Sequence, residues 1–142
     1  MKVRDVMTKH VVRIGSEEPV EVAARAFTHY NVGVLPVCGV DGRLCGVVTD
    51  RDLVTRCVAP GRSAGTTRVR DVMTGQVISA SPGMDLSAAL HLMGRAQVRR
   101  LPVVENGKLC GMVTLADAAA TEDGALNAVD AFADITSNIQ EK

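Results

Sequence analysis

An internal repeat constrains the fold of this chain more than any other feature. Val3-Arg4-Asp5-Val6-Met7-Thr8 recurs letter for letter, 66 positions later, as Val69-Arg70-Asp71-Val72-Met73-Thr74. The same offset carries Val11 onto Val77, Ile14 onto Ala80, and Leu35-Pro36-Val37 onto Leu101-Pro102-Val103. It then drops to 65, taking Leu44–Thr49 onto Leu109–Thr114 and Asp52 onto Asp117, so the second copy lacks one residue. Self-similarity at a fixed period means one supersecondary unit used twice. A unit this short buries too little surface to be stable alone, so the copies are expected to pack against each other.

Each copy reads as strand, helix, strand, strand, helix. Val11 to Ile14 is a short apolar run suited to a strand. Val20, Ala23, Ala24 and Phe27 share one helix face, and Leu86, Ala89, Leu90 and Met93 are their counterparts. Pro19 suits the first turn of the first helix and Asp85 the cap of the second. Val34–Val37 and Leu44–Val48 read as a hairpin around Asp41-Gly42, with Asn106-Gly107 a type I′ turn signal in the second copy. Pro36 and Pro102 lack a ladder donor, which predicts that their strands begin there or lie at an edge. Helices follow from Asp50 to about Val58 and from Leu115 to about Thr121. The expected fold class is α+β: two tandem β-α-β-β-α repeats packed sheet to sheet about a pseudo-twofold axis, plus a C-terminal helix. The expected divisions are 1–66 (first repeat with its linker at Pro60–Thr66), 67–124 (second repeat) and 125–142 (helix).

Composition narrows the function. Hydrophobic residues make up 46% and aromatics 2%, so the core must be aliphatic. Sixteen basic and sixteen acidic residues leave no net charge, which argues against a nucleic-acid binder. No apolar run approaches the roughly 18–20 residues of a membrane span, and Met1–His10 lacks the apolar core of a signal peptide. A soluble cytoplasmic protein is expected, with reduced thiols and no CxxC pair.

The chemistry-bearing pattern is Gly-apolar-apolar-Thr-x-x-Asp, present as Gly46–Asp52 and Gly111–Asp117. Each Thr ends a strand and each Asp falls in the first turn of the next helix. One reading is structural, since Thr-x-x-Asp suits a helix N-terminus and its dipole. The other is that hydroxyl, backbone N–H groups and carboxylate together hold a ribose phosphate.

Taken together, the doubled Val-Arg-Asp-Val-Met-Thr, Leu-Pro-Val and Gly-x-x-Thr-x-x-Asp motifs resemble a cystathionine-β-synthase (CBS) domain pair, or Bateman module, over about Val3 to Ala120. The resemblance implies a non-catalytic module that binds an adenosyl ligand in the cleft between its repeats and regulates a partner in trans. It also implies a homodimer, and no required cofactor beyond that regulatory nucleotide. Carried over by position, Asp52 and Asp117 would bind ribose hydroxyls, and Thr49 and Thr114 ribose or phosphate. Arg51 and Arg99 would meet phosphate, while Val11, Val34, Val77 and Arg100 would line the adenine pocket. The copies differ: Ala116 replaces Arg51, and Arg99-Arg100 stand where the first copy has Gly33-Val34. The arginines favour AMP, ADP or ATP, with NAD and S-adenosylmethionine still open.

Two other readings stay open. Residues 119–142 hold five acids and one base, and Leu126, Val129, Ala133 and Ile139, with Phe132 and Ile135 nearby, mark an amphipathic helix. That helix covers the module's own apolar face or meets a partner, as in a dimerisation module with vestigial ligand sites. Cys38 and Cys45 suggest a thiol or metal sensor; a tight turn would set them opposite each other, whereas the repeat alignment pairs Val37 with Cys45 and makes the extra residue a bulge. Cys45 and Cys110 read as buried, inert thiols. His10, His29 and His91 are scattered, and no catalytic triad, metal cluster or Walker loop is visible, so an enzyme is not expected.

Overall fold

The computed structural model describes residues 1–121 and 125–140, the side chains of 125–127 and 137–140 excepted. Residues 122–124 and 141–142, assigned above to the ends of the second repeat and of the helix, lie outside the described residues. The fold is α+β. In the first copy β1 (Ile14–Gly15) runs parallel to β2 (Val34–Cys38), which pairs antiparallel with β3 (Leu44–Thr49), in the order β1-β2-β3. In the second, β4 (Arg100–Glu105) pairs antiparallel with β5 (Lys108–Thr114). Asn106 and Gly107 both have positive φ, 54° and 79°, as a type I′ turn requires. The helices are α1 (Val20–Tyr30), α2 (Asp50–Leu53, continued as a π-helical turn to Val58), α3 (Leu86–Ala96), α4 (Leu115–Ala119) and α5 (Ala125–Gln140).

The compact units are not the sequence copies. One unit is Val12–Val77; the other is Met1–Val11 together with Ile78–Lys142. The 12–77 unit therefore contains the hexapeptide of the second copy. Thr74 N–H donates to Val47 O at 2.8 Å, and Val47 N–H returns a bond to Thr74 O at 3.0 Å. Val69 and Val72 are fully buried in that unit's core beside Val20, Val37 and Val48. The other unit contains the hexapeptide of the first copy. There Thr8 and Met112 exchange the equivalent bonds, at 2.8 and 2.9 Å, and Val3 is fully buried with Leu90, Met93 and Leu101.

This arrangement explains the prolines. β2 is the central strand of its sheet, contrary to the expectation of an edge, and Pro36 lies inside it opposite Val47. Val47 turns its N–H and C=O away from β2 toward Thr74, so Pro36 occupies a non-hydrogen-bonded pair and loses no bond to β3. Pro102 stands likewise opposite Met112.

Other expectations need correction. The first strand spans Ile14–Gly15 rather than Val11–Ile14, and its second-copy counterpart is a single parallel bridge, Ala80 to Val103. Ala24 is exposed; α1 buries Val20, Ala23 and Phe27, whereas all four counterparts on α3 are buried. A bulge occurs in both hairpins and is not the extra residue: Cys38 pairs with Leu44 and Val37 with Gly46, which leaves Cys45 as the bulged residue, and Cys110 occupies the same place between Leu109 and Gly111. The extra residue lies in the longer turn between Cys38 and Leu44. α5 packs on α3 and α4 through Ala128, Ala131 and Ile135, while Val129, Phe132 and Ala133, expected on the apolar face, are exposed. Leu126 and Ile139 have no described side chains.

Candidate functional site

In each copy the end of the second hairpin strand feeds straight into a short helix, with the start of the first hairpin strand beside it. Val34 is the register partner of Thr49, and Arg100 of Thr114. Both threonines cap the following helix: Thr49 Oγ1 accepts from Asp52 N–H at 3.0 Å, and Thr114 Oγ1 from Asp117 N–H at 3.1 Å. The threonine half of the capping motif therefore holds in both copies.

The aspartates differ. Asp52 is 9% exposed and completes a reciprocal capping box, its Oδ2 accepting from Thr49 N–H at 3.0 Å. Its Oδ1 faces the Arg56 guanidinium at 3.9 Å, and Arg56 Nη1 also donates to the carbonyls of Val72 and Met73 at 3.2 and 3.0 Å. The carboxylate is committed to holding the 12–77 unit together. Asp117 makes no return bond to Thr114 and is exposed. Surroundings differ in charge as well. The Asp50 carboxylate lies over Gly33, 3.3 Å from where a Cβ would stand; in the second copy that glycine is Arg99 and that aspartate is Leu115. Arg51 is exposed on α2.

Around Thr114 the structure opens a cavity of about 690 Å³, inside the usual range for small-molecule sites. Arg99, Arg100 and Thr114 line it, so three of the positions singled out from the sequence come together here. α4 adds Leu115, Ala116 and Ala119, and α5 adds Ala128, Val129 and Phe132. The Arg99 guanidinium lies over the Phe132 ring, 5.5 Å from its centroid. Asp117 sits on the same short helix outside the lining. Val11 and Val77 are half-buried and also lie outside it. No motif marked the α5 residues, because they have no counterpart in the repeat. Arg56 was also missed, although its i, i+4 spacing from Asp52 was a usable signal.

The cysteines are free thiols. Cys45 and Cys110 are half-buried rather than buried, and each Sγ donates to a strand carbonyl, Val37 O and Val103 O, at 3.3 Å. Burial pushes the thiols of Cys38, Cys45 and Cys110 up from their ordinary pKa, with Arg13 partly opposing this at Cys38. All three therefore stay protonated and weakly nucleophilic near neutrality. Among the described residues no three His, Cys, Asp or Glu side chains converge as a metal site would need. No described helix is long and apolar enough to cross a membrane.

The family model for the CBS domain matches residues 3–59 and again 69–121. The chain belongs to the CBS-domain family. The CBS domain-containing protein YhcV of Bacillus subtilis is 39% identical over 120 residues, covering 84% of each chain. Hypoxic response protein 1 of Mycobacterium tuberculosis is 34% identical over 116 residues, 82% of this chain and 81% of its own. Among solved CBS structures, Hypoxic Response Protein I with two coordinated zinc ions superposes with a TM-score of 0.76, over 84% of this chain and 97% of that one, at 34% identity. CBSX2 in complex with AMP gives 0.71 at 29% identity, over 82% and 91%. The second match to the family model ends at residue 121, before α5 begins.

Proposed function

We propose that this CBS-domain chain is a non-catalytic regulatory module that takes an adenosyl nucleotide at its second repeat and signals to a partner in trans. The observation that carries this is the cavity in which Arg99, Arg100 and Thr114 converge beside an exposed Asp117. Two guanidiniums suit phosphate, a hydroxyl and a carboxylate suit ribose, and the apolar remainder suits a base. A relative of the same fold is known in complex with AMP. AMP and ADP match two arginines better than S-adenosylmethionine, whose sulfonium would meet like charge. The equivalent site of the first copy is disfavoured, because Asp52 is occupied and Asp50 stands where the second copy presents Arg99. Of the other positions that the family resemblance names, Val34 and Arg51 belong to the disfavoured first-copy position, Val11 and Val77 lie outside the lining, and Arg100, named there for the adenine pocket, suits phosphate instead. A cytoplasmic location and a homodimer belong to the same proposal. Val54 and Val58, 58% and 67% exposed on the continuation of α2, would suit a contact between the two chains of such a dimer.

The test is calorimetric titration with AMP, ADP, ATP, NAD and S-adenosylmethionine. One equivalent of AMP or ADP per chain is expected. Asp117→Ala and Thr114→Val should each weaken binding about tenfold or more, the loss of a charge-assisted or buried hydrogen bond. Asp52→Ala should instead lower stability by about 1–2 kcal/mol, the worth of a cap, at nearly unchanged affinity. Unchanged affinity in the Thr114→Val, Asp117→Ala double variant would refute the site.

A further inference from the structure

α5 carries two apolar faces. One, Ala128, Ala131 and Ile135, is buried on the core of its unit. The other, Val129 and Phe132, is 65% and 47% exposed, and both residues line the cavity beside Arg99 and Arg100. A helix that served only to cover the core would have no use for the second face. Leaving a phenylalanine and a valine open to water forfeits the gain of burying them, about 1.5–3 kcal/mol each when complete. The Arg99 guanidinium lies over the Phe132 ring at the cavity's edge. The cavity thus sets two cations beside flat apolar surface contributed by α5.

We propose that α5 is a wall of the ligand site, with Phe132 and Val129 closing on the purine ring while Arg99 and Arg100 take the phosphate. This rests on the nucleotide reading above and extends it in two respects. The ligand is a nucleoside mono- or diphosphate, flat and apolar at one end and anionic at the other. Discrimination for the base comes from the tail helix, outside the residues that match the CBS model. The same helix feels whether the cavity is filled, which gives the module an element that reports occupancy.

The full chain carrying Phe132→Ala, Phe132→Leu or Phe132→Trp is titrated with AMP, beside the unaltered chain and Thr114→Val. Base–aromatic stacking predicts that Phe132→Ala lowers AMP affinity about fivefold or more. Phe132→Leu should recover little of it and Phe132→Trp most of it. Thermal midpoints without ligand should stay close to that of the unaltered chain, since the ring is half-exposed. Hydrogen exchange in α5 should slow when AMP saturates the unaltered chain. If Phe132→Ala binds AMP like the unaltered chain while Thr114→Val does not, α5 is no wall and the nucleotide reading stands. If Leu restores affinity as fully as Trp, the ring serves packing only and the proposal fails. If the unaltered chain binds no AMP, both readings fall.

Discussion

Gly46 and Gly111 stand in matching positions of the doubled motif, and each faces a hexapeptide from the other copy. A Cβ on Gly46 would lie 2.5 Å from Thr74 O and 2.9 Å from Met73 Sδ; one on Gly111 would lie 2.8 Å from Met7 Sδ and 3.0 Å from Thr8 O. Thr74 O cannot retreat without breaking the backbone pair it makes with Val47. Gly46→Ala should therefore lower the free energy of unfolding by about 1–3 kcal/mol, the usual cost of overpacking. Gly111→Ala should cost less, because its nearest neighbour is the end of a flexible methionine. Urea midpoints at unchanged slope would check both. The glycines were legible as motif members, but their reason was not, since it lies in a segment far along the chain. Asp52 and Asp117 make the same point. Identical letters at identical spacing give one closed carboxylate and one open one, because Arg56 supports Asp52 and has no counterpart beside Asp117.

Among the elements, α3 was the most readable and α5 the least. The face of α3, Leu86, Ala89, Leu90 and Met93, is apolar throughout at helical spacing, and all four residues are buried. α5 buries Ala128 and Ala131 as well as Ile135. Gly94 lets the helices approach until a Cβ there would lie 3.3 Å from Ala131 Cα and 2.9 Å from Asp134 Oδ2. Periodicity named Val129, Ala133, Phe132 and Ile135 among the apolar positions; only Ile135 of these four is buried, and the contact is completed by Ala128 and Ala131, which it passed over. A glycine inside a helix costs about 1 kcal/mol relative to alanine; the α5 contact offsets that cost. Gly94→Leu should push α5 away, destabilise the chain by about 1–3 kcal/mol and speed hydrogen exchange in α5 ahead of the strands. Equal protection of α5 in the variant would contradict this packing. The Asn106-Gly107 turn was readable for the opposite reason, since its positive φ values are a local demand on residue type.

At the scale of the molecule, the repeat predicts how often the unit is used but not which pieces complete it. Each unit takes its hexapeptide from the other copy. Two fragments of equal length therefore make a sharp comparison. Residues 12–77 include Val69, Val72 and Thr74 and should keep cooperative unfolding and slow-exchanging amides in β2 and β3. Residues 1–66 hold the complete first repeat but lack those three, and should unfold at lower urea or not cooperatively. The reverse order would overturn the assignment of the hexapeptides.

Residue type and spacing alone were sufficient for the α+β class, the doubled unit, most helix and strand positions, and the family likeness, because each rests on local preferences or on a pattern repeated along the chain. Tertiary structure settled which hexapeptide fills which core, why Pro36 is tolerated in a central strand, that Asp52 is closed, and that α5 borders the cavity at Thr114. Those outcomes depend on contacts between residues distant in sequence. A repeat treats its two copies as equivalent, and only packing, through Arg56 on one side and α5 on the other, makes them different.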